Sequence, residues 1–238
     1  MPLRSAAAFV GNPITDLTGI DPTPELIVTI AGNGPHTLTF SFQPTTIEEA
    51  ANELENRLRG VATEAQVFKG ARVTLLDNQL VIVPGSAAGT VTVQASGDNN
   101  AAAMLGLVTG ANRVGYLSGM LRPIPSLTND TPEIRVQMDS RTFDASIGAL
   151  GTSIRDIAGA LETALQAGPT PAFTDTQVTA VYEQLLILTG GDSPIVFDAS
   201  PADSTTVGAL HLRREYVVRV RVNGAESIGG VNSVELPL

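Results

Sequence analysis

The chain has no cysteine and no tryptophan. Without cysteine there can be no disulfide framework, no thiolate nucleophile and no cysteine-based zinc site. Lys69 is the only lysine against thirteen arginines, and His36 and His211 are the only histidines. Aromatic residues make up 4% of the chain, so the interior must be built from Val, Ile, Leu and Ala. No apolar run reaches the ~20 residues of a membrane span, so none is expected. The opening MPLRSAAAFVGNP carries one arginine and a short apolar run that soon meets Asn12-Pro13, so no signal peptide is expected either. A net charge of −10 disfavours a nucleic-acid partner, because neutralising phosphates takes clustered cations. A local exception is the group Arg213, Arg214, Arg219 and Arg221 near the C-terminus.

What the chain does contain is a pattern stated twice. Thr46-Ile47, Ala51, Leu54-Glu55 and Leu58 recur as Ser153-Ile154, Ala158, Leu161-Glu162 and Leu165, an offset of 107 residues. Val73-Thr74, Gln79-Leu80, Ile82 and Gly85 recur as Val178-Thr179, Gln184-Leu185, Ile187 and Gly190, at 105. Thr23-Pro24-Glu25-Leu26 recurs as Thr131-Pro132-Glu133-Ile134, at 108. Ordered matches with nearly constant offsets predict a duplicated structural unit, and a repeat of this kind decides the architecture.

Each copy reads as two strands, a helix and three strands. In the first, Leu26–Ile30 and His36–Phe42 flank a turn over residues 31–35 and predict a hairpin. Thr46 and Glu49 form a capping box, and Ile47, Ala50, Ala51, Leu54 and Leu58 make one apolar helical stripe ending at Gly60. The opposite face, Glu48, Glu49, Glu53, Glu55, Arg57 and Arg59, is expected in solvent. Strands follow at 72–76, 79–83 and 90–94, then an apolar plug at 101–107. The second copy predicts strands 133–138 and 141–147, a helix 153–166, strands 177–182, 184–189 and 194–198, and a plug at 205–212.

The expected fold is therefore α+β: two tandem ββ-α-βββ repeat domains, each a small antiparallel or mixed sheet packed on one helix, with a C-terminal β-hairpin. The divisions are an N-terminal arm 1–22, repeat domain one 23–112, a linker 113–130, repeat domain two 131–212 and the hairpin 213–238. In the last, Tyr216–Val222 alternates strongly, Asn223-Gly224 is a strong hairpin turn, and Val231–Leu236 is the expected returning strand.

Residues for chemistry are scarce. The two histidines have no metal-ligand spacing to each other or to a carboxylate pair. Asp98-Asn99-Asn100 and Gly190-Gly191-Asp192-Ser193 resemble fragments of calcium loops but lack the full pattern. Asn129-Asp130-Thr131 fits a glycosylation sequon and is expected to start a turn. No nucleophile elbow, phosphate-binding loop or zinc-protease motif occurs. No catalytic residue, metal or cofactor is expected, and the chain is read as not an enzyme. The candidate interface residues are Arg213, Arg214, Tyr216, Arg219 and Arg221, in and just before an expected edge strand that another chain could extend.

The hairpin, the [TS]-I-x-x-x-A-x-x-L helix of Thr46–Leu58, the V-T-x-x-x-x-Q-L-x-I-x-x-G run of Val73–Gly85, Ala95-Ser96 and Leu105-Gly106-Leu107 resemble the hook-associated "IN" modules of flagellins and flagellar cap proteins. They also resemble repeats in phage tail and contractile injection system structural proteins. The second copy has Ala199-Ser200 but Leu210-His211-Leu212, with histidine in place of glycine. Residues 216–227 look like the closing strand of proteins that cap such tails. The resemblance implies a non-enzymatic structural subunit of a large symmetric assembly, a homo-oligomer whose partners are other subunits, in a virion or phage-like particle assembled in the cytoplasm. The alternative is a surface or carbohydrate-binding adhesin module.

Overall fold

The computed structural model describes residues 4–63, 65–86, 89–127, 130–148, 151–191, 194–213, 217–222 and 225–230, the last two stretches by their backbone. The chain is α+β, and every strand pairing among the described residues is antiparallel. The first series of elements is β1 (Arg4–Val10), β2 (Glu25–Ile30), β3 (Asn33–Thr39), α1 (Ile47–Arg59), α2 (Gln66–Lys69), β4 (Arg72–Leu76), β5 (Gln79–Val83), β6 (Val91–Ala95) and α3 (Ala101–Met104). The same order of types follows as β7 (Ala111–Leu117), β8 (Glu133–Met138), β9 (Arg141–Ser146), α4 (Ile154–Gln166), α5 (Pro171–Thr174), β10 (Gln177–Val181), β11 (Gln184–Leu188), β12 (Val196–Ala199) and α6 (Thr206–Ala209). A hairpin, β13 (Val217–Val222) and β14 (Ala225–Gly230), comes last.

Local chemistry explains the two long helices. Thr46 and Glu49 close a capping box on α1, and Ser153 and Asp156 close one on α4. Each box satisfies two amide groups that a helix start would otherwise leave unpaired. The apolar stripes then face inward: Leu54 and Leu58 of α1 and Ile157, Leu161 and Leu165 of α4 are fully buried. The polar face of α1 departs from expectation, since Glu53 and Glu55 are only 4% and 6% exposed. Both carboxylates answer backbone amides from neighbouring elements, and that requirement outweighs their preference for water. Glu53 takes the Ser41 amide and hydroxyl, each at 2.7 Å, and pairs with Arg57.

The elements form three layers of burial. One core joins β2, β3, α1, α2, the inner side of β5, β6 and α3; a second joins β8, β9, α4, α5, β10, β11, β12 and α6. Three-stranded sheets β3-β2-β6 and β12-β8-β9 wall these cores. Between them runs a six-stranded sheet ordered β10-β11-β7-β1-β5-β4. Alternation sends Leu80 and Ile82 to the first core, Leu185 and Ile187 to the second, and Val81, Val83, Leu186 and Leu188 to a third.

That third cluster consists of sheet residues only: Ala6, Ala8 and Val10 of β1, Leu117 of β7, the four β5 and β11 residues, and Leu76 and Val181. A single sheet face can be buried without another layer only if the sheet curls onto itself. Its outer strands do meet. Thr74 Oγ1 of β4 donates to the Ala180 carbonyl at 2.8 Å, and Thr179 Oγ1 of β10 donates to the Leu75 carbonyl at 2.7 Å. The sheet is therefore a six-stranded barrel whose β4/β10 seam is bridged by side chains. Fewer strands give a narrower lumen, and the fill is correspondingly small: Ala6, Ala8 and Gly115. A Cβ on Gly115 would lie 3.0 Å from both Leu186 Cδ1 and Leu188 Cδ2.

Several expectations are corrected here. The segment 1–22 is not a free arm at residues 4–10: β1 lies in the barrel between β5 and β7, and Ile14, Leu17 and Ile20 enter the first core. The stretch read as a linker from residue 113 begins inside β7. The first hairpin turns at Ala31-Gly32, with Ile30 opposite Asn33, so β3 starts earlier than expected and Phe42 falls outside it at 43% exposure. The partner of β13 is β14 at residues 225–230, in register from Val222 opposite Ala225 to Val217 opposite Gly230. Residues 231–238, where the returning strand was expected, lie outside the described residues. The two one-turn helices α2 and α5 are too short to leave a periodic signal.

An Ala8→Leu substitution should overfill the lumen and destabilise the protein by about 1–3 kcal/mol, read as a lower urea midpoint. An unchanged midpoint would show that this face is not a closed interior.

Candidate functional site

The polar residues that recur in the sequence converge on the barrel. Glu55 Oε2 accepts the Val73 amide of β4 at 2.8 Å, and Glu162 Oε2 accepts the Val178 amide of β10 at 2.6 Å. Gln79 Nε2 donates to the Gly11 carbonyl at 2.9 Å, and Gln184 Nε2 to the Ser118 carbonyl at 2.6 Å. With the two threonine bonds, the recurring pairs Glu55 and Glu162, Thr74 and Thr179, and Gln79 and Gln184 each hold a backbone group of the barrel or of the segment beside it. The backbone repeats as well: Gly11, Asn12 and Ile14 donate to Leu80, Gly106 and Asn78, while Ser118, Gly119 and Leu121 donate to Leu185, His211 and Glu183. The glycine-to-histidine change falls on two residues with the same left-handed backbone, Gly106 at φ 67° and His211 at φ 49°.

The two sides of the seam differ in one respect. On the α1 side, the Tyr182 hydroxyl donates to Glu55, Arg59 Nη1 reaches the same carboxylate at 3.1 Å, and the Arg72 guanidinium sits 5.2 Å over the Tyr182 ring. Burial and then the Glu55 carboxylate push the Tyr182 hydroxyl above its ordinary pKa. On the α4 side the positions matching Tyr182, Arg59 and Arg72 hold Asp77, Gln166 and Gln177. Gln166 is turned to the Thr176 carbonyl, and Gln177 accepts from Arg113. A groove of about 530 Å³ runs over the seam between α1 and α4 and extends to this end, lined by Glu48, Asn52, Asp77, Arg155 and Glu162 above a floor of β4 and β10.

Of the candidate interface residues, Arg213 is tied to β12, its Nη2 being 2.5 Å from Asp198 Oδ1. That hydrogen bond, first among the causes, holds the Asp198 carboxyl below its ordinary range. Arg219 stands opposite Ile228 and Arg221 opposite Glu226 in the hairpin ladder. Arg214 and Tyr216 lie outside the described residues, as do Asn129, Asp192 and Ser193. His36 packs edge-on against Phe68 with ring centroids 5.0 Å apart. Asn99 and Asn100, read as a calcium-loop fragment, instead use their side chains on the backbone: Asn99 Oδ1 accepts from Glu25 and Asn100 Oδ1 from Asp21.

One structural residue had no motif to mark it. Asp203 is buried and accepts the amides of Glu133, Thr205 and Thr206 and the hydroxyls of both threonines. Burial pushes its carboxyl up, but these hydrogen bonds outweigh that and hold it far below the ordinary aspartate value. No helix among the described residues is long and apolar enough to cross a membrane.

No family model matches the chain, and no curated protein matches it. Among solved structures it is similar to the flagellar cap protein FliD from Helicobacter pylori, at a TM-score of 0.30 and 16% identity. The match covers 84% of this chain and 55% of that one, so this chain spans about half the length of that protein. A likeness this slight fixes neither fold nor role.

Two outcomes are expected. Because the folded Asp203 carboxyl titrates below its unfolded value, it stabilises the protein at pH above about 4 and that contribution fades as pH falls from about 5 toward 2. Asp203→Asn should be less stable by roughly 1–3 kcal/mol at pH 7 and show a flatter decline over that acid range in urea titrations. Thr74→Val should lower stability by about 1 kcal/mol, having removed the hydroxyl that answers the Ala180 carbonyl; an unchanged midpoint would show that the seam does not depend on it.

Proposed function

We propose that this chain is a non-enzymatic structural subunit of a large symmetric protein assembly, of the phage-tail or contractile-injection type, that works through contacts with neighbouring subunits. The observation that carries this reading is the β13-β14 hairpin. It forms a two-stranded sheet of its own, outside the barrel and outside both three-stranded sheets. A two-stranded sheet is marginal in isolation, and its outer edges, unpaired among the described residues, are templates for a strand from another chain. The N-terminal strand drops out as an exchanging arm, because β1 is the central partner of β5 and β7. Contacts of the heterologous kind, hairpin to a different surface on the next copy, repeat around a ring.

We propose also that the two series of elements are copies of one unit, beginning at β1 and at β7. The recurring polar bonds across the seam support this. If the units are equivalent, Thr74→Val and Thr179→Val should cost the same to within about 0.5 kcal/mol; a clear inequality would count against it.

Deleting residues 213–238 should leave a folded protein, since the Arg213–Asp198 pair is exposed and such pairs contribute little. The truncated chain should stay monomeric in light scattering and show no particles by negative-stain imaging where the full chain assembles. Normal particles from the truncated chain would refute the reading.

A further inference from the structure

We infer that the groove between α1 and α4 is the seat for the arginine-bearing C-terminal hairpin of a second copy of this chain. This rests on the reading of the chain as an assembling subunit and names the surface that receives the hairpin.

The filled end of the seam shows what the open end takes. At Glu55 the carboxylate is engaged by Arg59 and the Tyr182 hydroxyl, and Arg72 lies over the Tyr182 ring. At the matching position Glu162 uses Oε2 on the Val178 amide, while Asp77 and Gln166 replace the tyrosine and the arginine. The groove reaches that end at Asp77 and Glu162, and its charged residues among the described lining are Glu48, Asp77, Glu162 and Arg155, a net negative set. A guanidinium entering there would stand to Glu162 and Asp77 as Arg59 stands to Glu55, and arginine suits such a site because its planar fork can engage carboxylates bidentately.

The chain holds such a donor. Two of its thirteen arginines, Arg219 and Arg221, stand on β13, a strand with no acidic residue, on a protein whose net charge is −10, so that strand is opposite in sign to the groove. The hairpin is joined to the body at Arg213, which Asp198 holds on β12. Three residues separate Arg213 from β13, so the two are at most about 14 Å apart along the chain. β12 and α6 pack on β8 and on each other, whereas α4 packs on β9, β10, β11 and α5. β12 shares the second core with α4 but contributes no residue to the groove, so the hairpin leaves the body away from the groove lining, and a second copy is assigned as its source.

Because the chain has no cysteine, single thiols report the contact directly. Asn52→Cys, on the groove wall, and Ser227→Cys, on β14, are made in separate full-length chains, mixed and oxidised. A mixed disulfide dimer is expected, and with both thiols in one chain, chain-to-chain ladders instead of a closed monomer. In sedimentation, Glu48→Arg and Arg219→Glu, the latter opposite Ile228, should each weaken self-association roughly tenfold, and the two together in one chain should restore most of it, with urea midpoints lowered by no more than the small cost of a cation in the first turn of α1. A disulfide closed within one chain would overturn the second-copy assignment. If truncation at residue 213 abolishes assembly while Glu48→Arg and Glu162→Gln leave it intact, the groove is the wrong receptor and the subunit reading stands. A full-length chain that remains monomeric at every concentration would overturn both.

Discussion

Backbone groups at a sheet edge inside a folded protein must find partners, and β4 and β10 meet at the barrel seam without a backbone ladder between them. Four side chains resolve this. Glu55 and Glu162 reach down from α1 and α4 to take an amide on each strand, and Thr74 and Thr179 each reach across to a carbonyl on the other strand. The seam therefore sets where both long helices sit, since each must present its glutamate at the strand. It also lets one sheet face close into an interior with no further layer above it.

From that closure follows the division of the apolar residues. Strands of the barrel serve two interiors at once, with alternate residues pointing to the shared lumen and to the core of one half. This is why β5 and β11 are buried along nearly their whole length and why the lumen strand β1 reads R-S-A-A-A-F-V: small residues inward, Phe9 outward into the first core. The chain with few aromatics buries Phe9, Phe40, Phe68, Phe173, Phe197 and Tyr116 and fills most of its interior with aliphatic residues.

The sequence made a large part of this legible. The long helices α1 and α4, their capping boxes, the β4-β5 and β10-β11 hairpins and the plugs all carry local signals: periodicity, caps and turn residues at fixed spacing. What escaped was non-local. β1 holds an alanine run that looks like a tether, because its burial depends on strands far along the chain. Glu53 and Glu55 lie on the polar side of a helical wheel, yet the amides they satisfy belong to Ser41 and Val73, which no helical pattern can reveal. Asp203 marks no motif, since its partners are assembled by the fold around α6 and β8.

The candidate site divides in the same way. The arginine-rich C-terminal strand and its Asn-Gly turn are visible in the residues alone, because alternation and turn chemistry act between near neighbours. Composition and local pattern likewise decided the α+β class, the aliphatic interior and the order of the strands and long helices from β2 to β6 and from β8 to β12. The closing of the barrel, the open end of the groove, and the contrast between Tyr182 at one side of the seam and Asp77 at the other were decided by tertiary structure. Each depends on which strands meet across a hundred residues of chain, and that is fixed by packing and by the need to pair buried backbone groups, not by any local preference.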